Sequence, residues 1–175
     1  GVTTGILGAM LVLCIIIYDA VHKWITFAPV LMGACRFLVY LIAASIGTEA
    51  VNGWAVWCGL ALMLYVIGLS CLARGESTRS IVQLWPLALL VAPIVLALFM
   101  NVGQYRQSAL LLSAVVALWI ARSLRPALWS EERNVGRAVS NLLAGIVLID
   151  LLAVNGAPWE WSMALLLLFG GALLA

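Results

Sequence analysis

The chain has 175 residues, of which 66% are hydrophobic and 9% charged, with a mean hydropathy of +1.17, whereas soluble domains carry about 25% charged residues. Charge this sparse cannot cover a globular surface, which argues against a soluble enzyme, a disordered chain or a nucleic-acid binder and leaves an integral membrane protein. The net charge of +2 says little by itself, because the location of Lys and Arg matters more than their sum in such proteins.

A spanning helix needs about 20 mainly apolar residues, and about 17 suffice at the short end. Seven such segments are predicted in chain order: Thr3 to Tyr18, Pro29 to Gly47, Trp54 to Ala73, Leu84 to Val102, Ser108 to Ala121, Ala138 to Val154, and Trp159 to Leu174. The first stops at the polar run Asp19 to Lys23, and the second opens on a proline, a favoured first-turn residue. The fourth holds Pro86 and Pro93, tolerated in a membrane helix where neighbours satisfy the freed carbonyls. Trp24, Trp54, Trp85, Trp129 and Trp159 stand near segment ends, where amphipathic rings prefer the headgroup layer. Cys14, Cys35, Cys58 and Cys71 lie inside apolar runs without a CxxC spacing and read as small buried hydrophobes. No charged region followed by a small-residue cleavage site opens the chain, so no signal peptide is expected there. The expected fold is an all-α, polytopic transmembrane bundle forming one domain over residues 1–175.

The connections after segments one, three and five hold Lys23, then Arg74 and Arg79, then Arg122, Arg125, Arg133 and Arg137, while the other side has only Arg106. The positive-inside rule places those three basic connections in the cytoplasm. They gather cationic groups on one face, which suits an anionic headgroup as well as simple orientation of the chain. Arg36 falls outside this count. It lies eight residues past Ala28, about 12 Å of helical rise into the bilayer, where an arginine costs at least about 2.5 kcal/mol unless partnered. Asp150, about 18 Å past Ala138, is the other intramembrane charge. Two readings stay open for Arg36, a structural pair with Asp150 or a contact to an anionic substrate. Asn141, nine residues before Asp150, would fall on the opposite face of a continuous helix.

The run Tyr18-Asp19-Ala20-Val21-His22-Lys23, then Pro29, then Met32-Gly33-Ala34-Cys35-Arg36, with Leu69-Ser70-Cys71-Leu72-Ala73-Arg74-Gly75-Glu76 ending a third helix, resembles the middle of a UbiA-type membrane prenyltransferase. Asn141-Leu142-Leu143-Ala144-Gly145 is similar to a late part of that fold. The resemblance implies a helical bundle around a cavity open to lipid. It also implies transfer of a prenyl group, an alkyl or aryl rather than a methyl transfer, from a polyprenyl diphosphate held through Mg²⁺ to a small acceptor. By this match the chain corresponds to the family's fourth helix onward, without the helices that carry the first aspartate-rich motif. A bacterial cytoplasmic membrane is the expected location, with polyprenyl diphosphate and membrane lipid as partners and no nucleic acid.

The departures shape the expected site. Family members show a tyrosine with a lysine four residues later; here His22 has that spacing from Tyr18, and Lys23 keeps the interval to Pro29. The second acidic motif reads Val66 and Ala73 at the matching positions and leaves Glu76 as the one candidate metal ligand, poor equipment for Mg²⁺. Lys23, Arg36, Arg74 and Arg79 are then the expected diphosphate-binding residues, since arginine forks match phosphate oxygens. Lys23 could equally pair with Asp19, and Glu76 with Arg79, at helical spacing. Two functions follow: a transferase, or a relative that binds isoprenoid or lipid, or acts as a scaffold, without turnover.

Overall fold

In a computed structural model of the chain, the residues described are 1–22, 25, 27–48, 51–77, 85–101, 103–128, 134–155 and 158–174. They form α1 (Val2–Val21), α2 (Ala28–Thr48), α3 (Gly53–Ser77), α4 (Trp85–Met100), α5 (Arg106–Leu128), α6 (Val135–Ala144), α7 (Ile146–Ala153) and α8 (Trp159–Leu174), with one 3₁₀ turn at Gly103–Tyr105 before α5. Among the described residues no strand occurs. Five stretches are long and apolar enough to cross a membrane: α1, α2, α3, α5 and the α6–α7 pair taken together. The chain therefore has the build of an integral membrane protein, and α4 and α8 are shorter apolar helices.

The third helix is the centre. It packs on α2, α4, α6 and α7, while α5 closes against α4, α6 and α7, and α8 lies on α7 and α6. Its own sequence explains the position. Tyr65, Val66, Leu69 and Leu72 are buried on the core side, and small residues elsewhere let neighbouring backbones come close. A Cβ added to Gly68 would lie 2.7 Å from the Pro86 carbonyl oxygen, and one added to Gly33 of α2 would lie 2.9 Å from the Met63 oxygen. In lipid there is no hydrophobic drive between helices, so such close packing and a few interhelical hydrogen bonds have to hold the bundle.

The first helix is the exception to this packing. Among the described residues it contacts α2 alone, has no buried residue, and is held by Cys14 Sγ donating to the Leu31 oxygen at 3.7 Å and by a 3.0 Å contact between the Thr4 and Ser45 hydroxyls.

Two expectations are corrected. Segment five does not stop at Ala121 but runs to Leu128 as α5, with Arg122 and Arg125 inside the helix. The last turns are amphipathic: both arginines are exposed while Leu124 and Ala127 are buried in the same core cluster as Val135 and Ala138 of α6, on which α5 packs. Segment six is not one continuous helix either. It breaks at Gly145, where the Tyr65 hydroxyl donates to the Leu142 oxygen and the Trp119 indole donates to the Asn141 oxygen, both at 2.9 Å. A Cβ at Gly145 would meet Tyr65 Oη at 2.7 Å and Trp119 Nε1 at 2.9 Å, so only glycine leaves room for both donors. The interruption is local: Gly145 itself keeps right-handed helical angles (φ −62°, ψ −18°), its N–H bonds to the Asn141 oxygen and the Ile149 N–H bonds to the Gly145 oxygen, so α6 and α7 continue as one span over Val135–Ala153.

Candidate functional site

Two polar groupings are built into the bundle, one near the end of α3 that carries Arg74 and one deep between α2 and α7. At the first, Arg74 stands in the last turns of α3 and reaches the α1–α2 connection: Nη2 donates to the His22 oxygen at 2.6 Å and Nη1 to the Ile25 oxygen at 3.0 Å. The carbonyls it takes flank Lys23 in sequence. The connection is further tied down on the α1 side, where the His22 ring stacks on Tyr18 with centroids 5.4 Å apart and its Nδ1 lies 3.0 Å from the Asp19 oxygen. Lys23 and Arg79, and the side chain of Glu76, lie outside the described residues, as do the pairings proposed for them with Asp19 and with each other. What the structure brings together here is the end of α1 and the end of α3, two of the stretches that carry the family resemblance.

Glycine contacts fix the depth of the second grouping. Gly33 sits against Met63 and Ile67, and Gly59 sits against Phe37 and Tyr40, so α2 and α3 run side by side with Tyr40 level with Gly59. Gly59 is fifteen residues from Arg74, which places Tyr40 about 22 Å from it along α3. Arg36, one turn nearer, is about 17 Å from Arg74 on the same scale, measured between backbone levels.

Asp150 does not pair with Arg36. Its Oδ1 accepts a hydrogen bond from Tyr40 Oη at 2.5 Å, and Arg36 acts on it only through space. The physical reason is depth, because Tyr40 is twelve residues past Ala28 and Asp150 twelve past Ala138, about 18 Å of rise in each case, while Arg36 falls about 6 Å short. The bond spans two helices that, among the described residues, do not pack on each other, while α3 packs on both. Tyr40 and Asp150 are half-buried and Arg36 is exposed, on a face of α2 with Met32 and Val39. Tyr40 is the functional candidate that sequence reasoning missed, although its level with Asp150 follows from the same rise per residue that placed Arg36.

Near the same end, Trp54 Nε1 at 3.3 Å and Cys58 Sγ at 3.7 Å both donate to the Ala153 oxygen and pin α7 to α3. Beside them lies a half-open apolar recess whose walls include Trp54, Trp57, Cys58, Pro93, Met100 and Asn101. All four cysteines are free.

Among the described residues the donor chemistry does not supply a Mg²⁺ site of the kind the resemblance implies. Among the described residues no group of three His, Cys, Asp or Glu side chains could hold a cation, and the aliphatic Val66 and Ala73 occupy the positions where the family has acids. No protein-family model, no curated protein and no solved structure matches this chain.

Proposed function

We propose that the chain belongs to a UbiA-type membrane prenyltransferase, which moves a prenyl group from a polyprenyl diphosphate to a small acceptor. The diphosphate end of the donor lies at the junction of the α1–α2 connection and α3, with Lys23, Arg74 and Arg79 supplying positive charge. One observation carries the reading: Arg74 bonds to the carbonyls of His22 and Ile25, on either side of Lys23. Two motifs some fifty residues apart in sequence, both from the stretches that resemble the family, thus meet at one end of the bundle. The guanidinium does two things there. It orders the connection, and its charge, permanently present because arginine does not deprotonate, favours phosphate oxygens. The prenyl tail extends from that end along the apolar helices, gaining about 0.8 kcal/mol per CH₂ removed from water.

Arg36 stands about 17 Å along α3 from Arg74 between backbone levels, and the reading rests on Lys23, Arg74 and Arg79 without it. A second reading, a relative that binds isoprenoid or lipid without turnover, is favoured by one specific feature: Val66 and Ala73 replace the acids that would hold a metal against the departing diphosphate.

The test is equilibrium binding of labelled geranylgeranyl diphosphate to the protein in lipid nanodiscs, followed by an assay for released diphosphate. Saturable binding is expected, weakened about tenfold by Arg74→Gln, the loss of one charge-assisted interaction. Binding without release, with or without Mg²⁺, selects the second reading, and absence of saturable binding rejects both.

A further inference from the structure

Two of the four cysteines meet where the first helix is least secured. Cys14 Sγ donates to the Leu31 oxygen at 3.7 Å, and in an α-helix that oxygen also accepts the N–H of the residue four further on, which is Cys35. The Cys14 thiol therefore sits over the turn of α2 that ends at Cys35. A second contact fixes the register independently. Thr4 meets Ser45. Thr4 is ten residues before Cys14 and Ser45 ten after Cys35, about 15 Å of rise on each of two antiparallel helices. Because Thr4 and Ser45 are level, Cys14 and Cys35 are level too, and the two thiols lie within hydrogen-bonding reach of each other. Both are free and half-buried.

The position gives the pair something to control. α1 has no buried residue and, among the described residues, packs on α2 alone, so in lipid it rests on a few weak contacts. A link between Cys14 and Cys35 would enclose residues 15–34, which include His22 and Ile25, the two residues whose carbonyls Arg74 holds. We propose that Cys14 and Cys35 are a redox pair, oxidised by a hydroperoxide to a disulfide that locks α1 onto α2. One sulfur attacks the O–O bond and becomes a sulfenic acid, while the other peroxide oxygen leaves with a proton as an alcohol or water. The second thiol then attacks that sulfur; the S–S bond forms and the sulfenic oxygen departs as water. Two thiols and one hydroperoxide thus give one disulfide, one alcohol or water, and one further water. The two electrons lost by sulfur are gained by the peroxide oxygens, and an added thiol reductant reverses the change. Cys14 lies seven residues, about 10 Å of rise, inside the end of α1 at Val21, so its oxidant has to be neutral and able to enter an apolar medium. Hydroperoxides of oxidised acyl chains and hydrogen peroxide share that chemistry. The pair is argued from its own residues and stands whether or not the protein takes a diphosphate.

The experiment treats the reduced full chain in nanodiscs with cumene hydroperoxide in one arm and hydrogen peroxide in the other, alkylates the remaining thiols, and maps the digest by mass spectrometry. An intramolecular Cys14–Cys35 disulfide is expected, reversed by dithiothreitol, with Cys58 and Cys71 still alkylated. The arm that reacts faster names the source of the oxidant. In Cys35→Ser the intramolecular link should vanish and dimedone should trap a sulfenic acid on Cys14. Hydrogen exchange along α1 should slow about tenfold on oxidation of the unaltered protein and stay unchanged in Cys35→Ser. Absence of the Cys14–Cys35 link in both arms, or links formed only between chains, overturns the pairing, and unchanged exchange after the link has formed overturns the lock.

Discussion

Tyr40 presents its hydroxyl to a carboxyl that has few alternatives in lipid, so Tyr40→Phe leaves Asp150 short of a donor. Hydrogen bonds between membrane helices average about 0.6 kcal/mol in coupling cycles and reach about 1.7 kcal/mol. A double-mutant cycle on Tyr40→Phe and Asp150→Leu, read by reversible unfolding, should give about 1 kcal/mol. The corresponding cycle between Arg36→Leu and Asp150→Leu should give less, because those side chains interact through space and not by contact. Equal coupling in both cycles would mean that Arg36 reaches the carboxyl after all. Arg74 makes a comparable claim at the other end of the bundle. Arg74→Lys keeps the charge but loses the fork that spans the His22 and Ile25 carbonyls, and should loosen the connection without removing its attraction for phosphate. Faster proteolysis between α1 and α2, together with a smaller loss of diphosphate binding than in Arg74→Gln, is the expected pair of results.

The break between α6 and α7 shows how an element is shaped by its neighbours. Tyr65 from α3 and Trp119 from α5 occupy the space where a side chain at position 145 would go, and they add side-chain hydrogen bonds to the Leu142 and Asn141 carbonyls, the latter already bonded to the Gly145 N–H. Trp119 also packs edge-on against Phe169 of α8, with centroids 4.9 Å apart, so the clasp joins four helices. Gly145→Leu should therefore cost about 1–3 kcal/mol by overpacking, while Trp119→Phe, which keeps the ring and loses the donor, should cost less. Unfolding of the two variants side by side checks the order, and the reverse ranking would place the indole hydrogen bond above the packing. The apolar helices were legible in the sequence because hydropathy over some twenty residues records burial in lipid directly. The end of α5 was not, since Arg122 and Arg125 look like a loop until Leu124 and Ala127 are seen to pack on α6. Nor was the break, because a glycine inside an apolar run signals close packing and helix interruption equally well. Of the candidate site, the meeting of the Tyr18 to Lys23 stretch with Arg74 came from family resemblance, whereas the Tyr40 bond needed depth and facing together, and sequence alone supplies only depth.

At the scale of the whole molecule, the bundle has two chemically different ends. One gathers Arg74, the α1–α2 connection, and the exposed arginines at the end of α5; the other carries Trp54, Trp57, the Asn101 and Asn155 amides joined at 3.1 Å, and the apolar recess. The seven-to-one distribution of basic residues over alternate connections predicts that the Arg74 end faces the cytoplasm. Impermeant maleimide applied to whole cells should leave single cysteines at Ser77 and Ser130 unlabelled, and labelling of either from outside would reverse the orientation. The central claim is that the Arg74 end receives a polyprenyl diphosphate, and the most direct measurement is photo-crosslinking with a geranylgeranyl diphosphate analogue that carries an aryl azide on the terminal phosphate. Mass spectrometry of the digested protein should find the label within residues 18–25 and 72–79, displaced by excess unlabelled geranylgeranyl diphosphate and reduced in Arg74→Gln. Label concentrated instead on α2 around Arg36, or at the Trp54 end, would contradict the account.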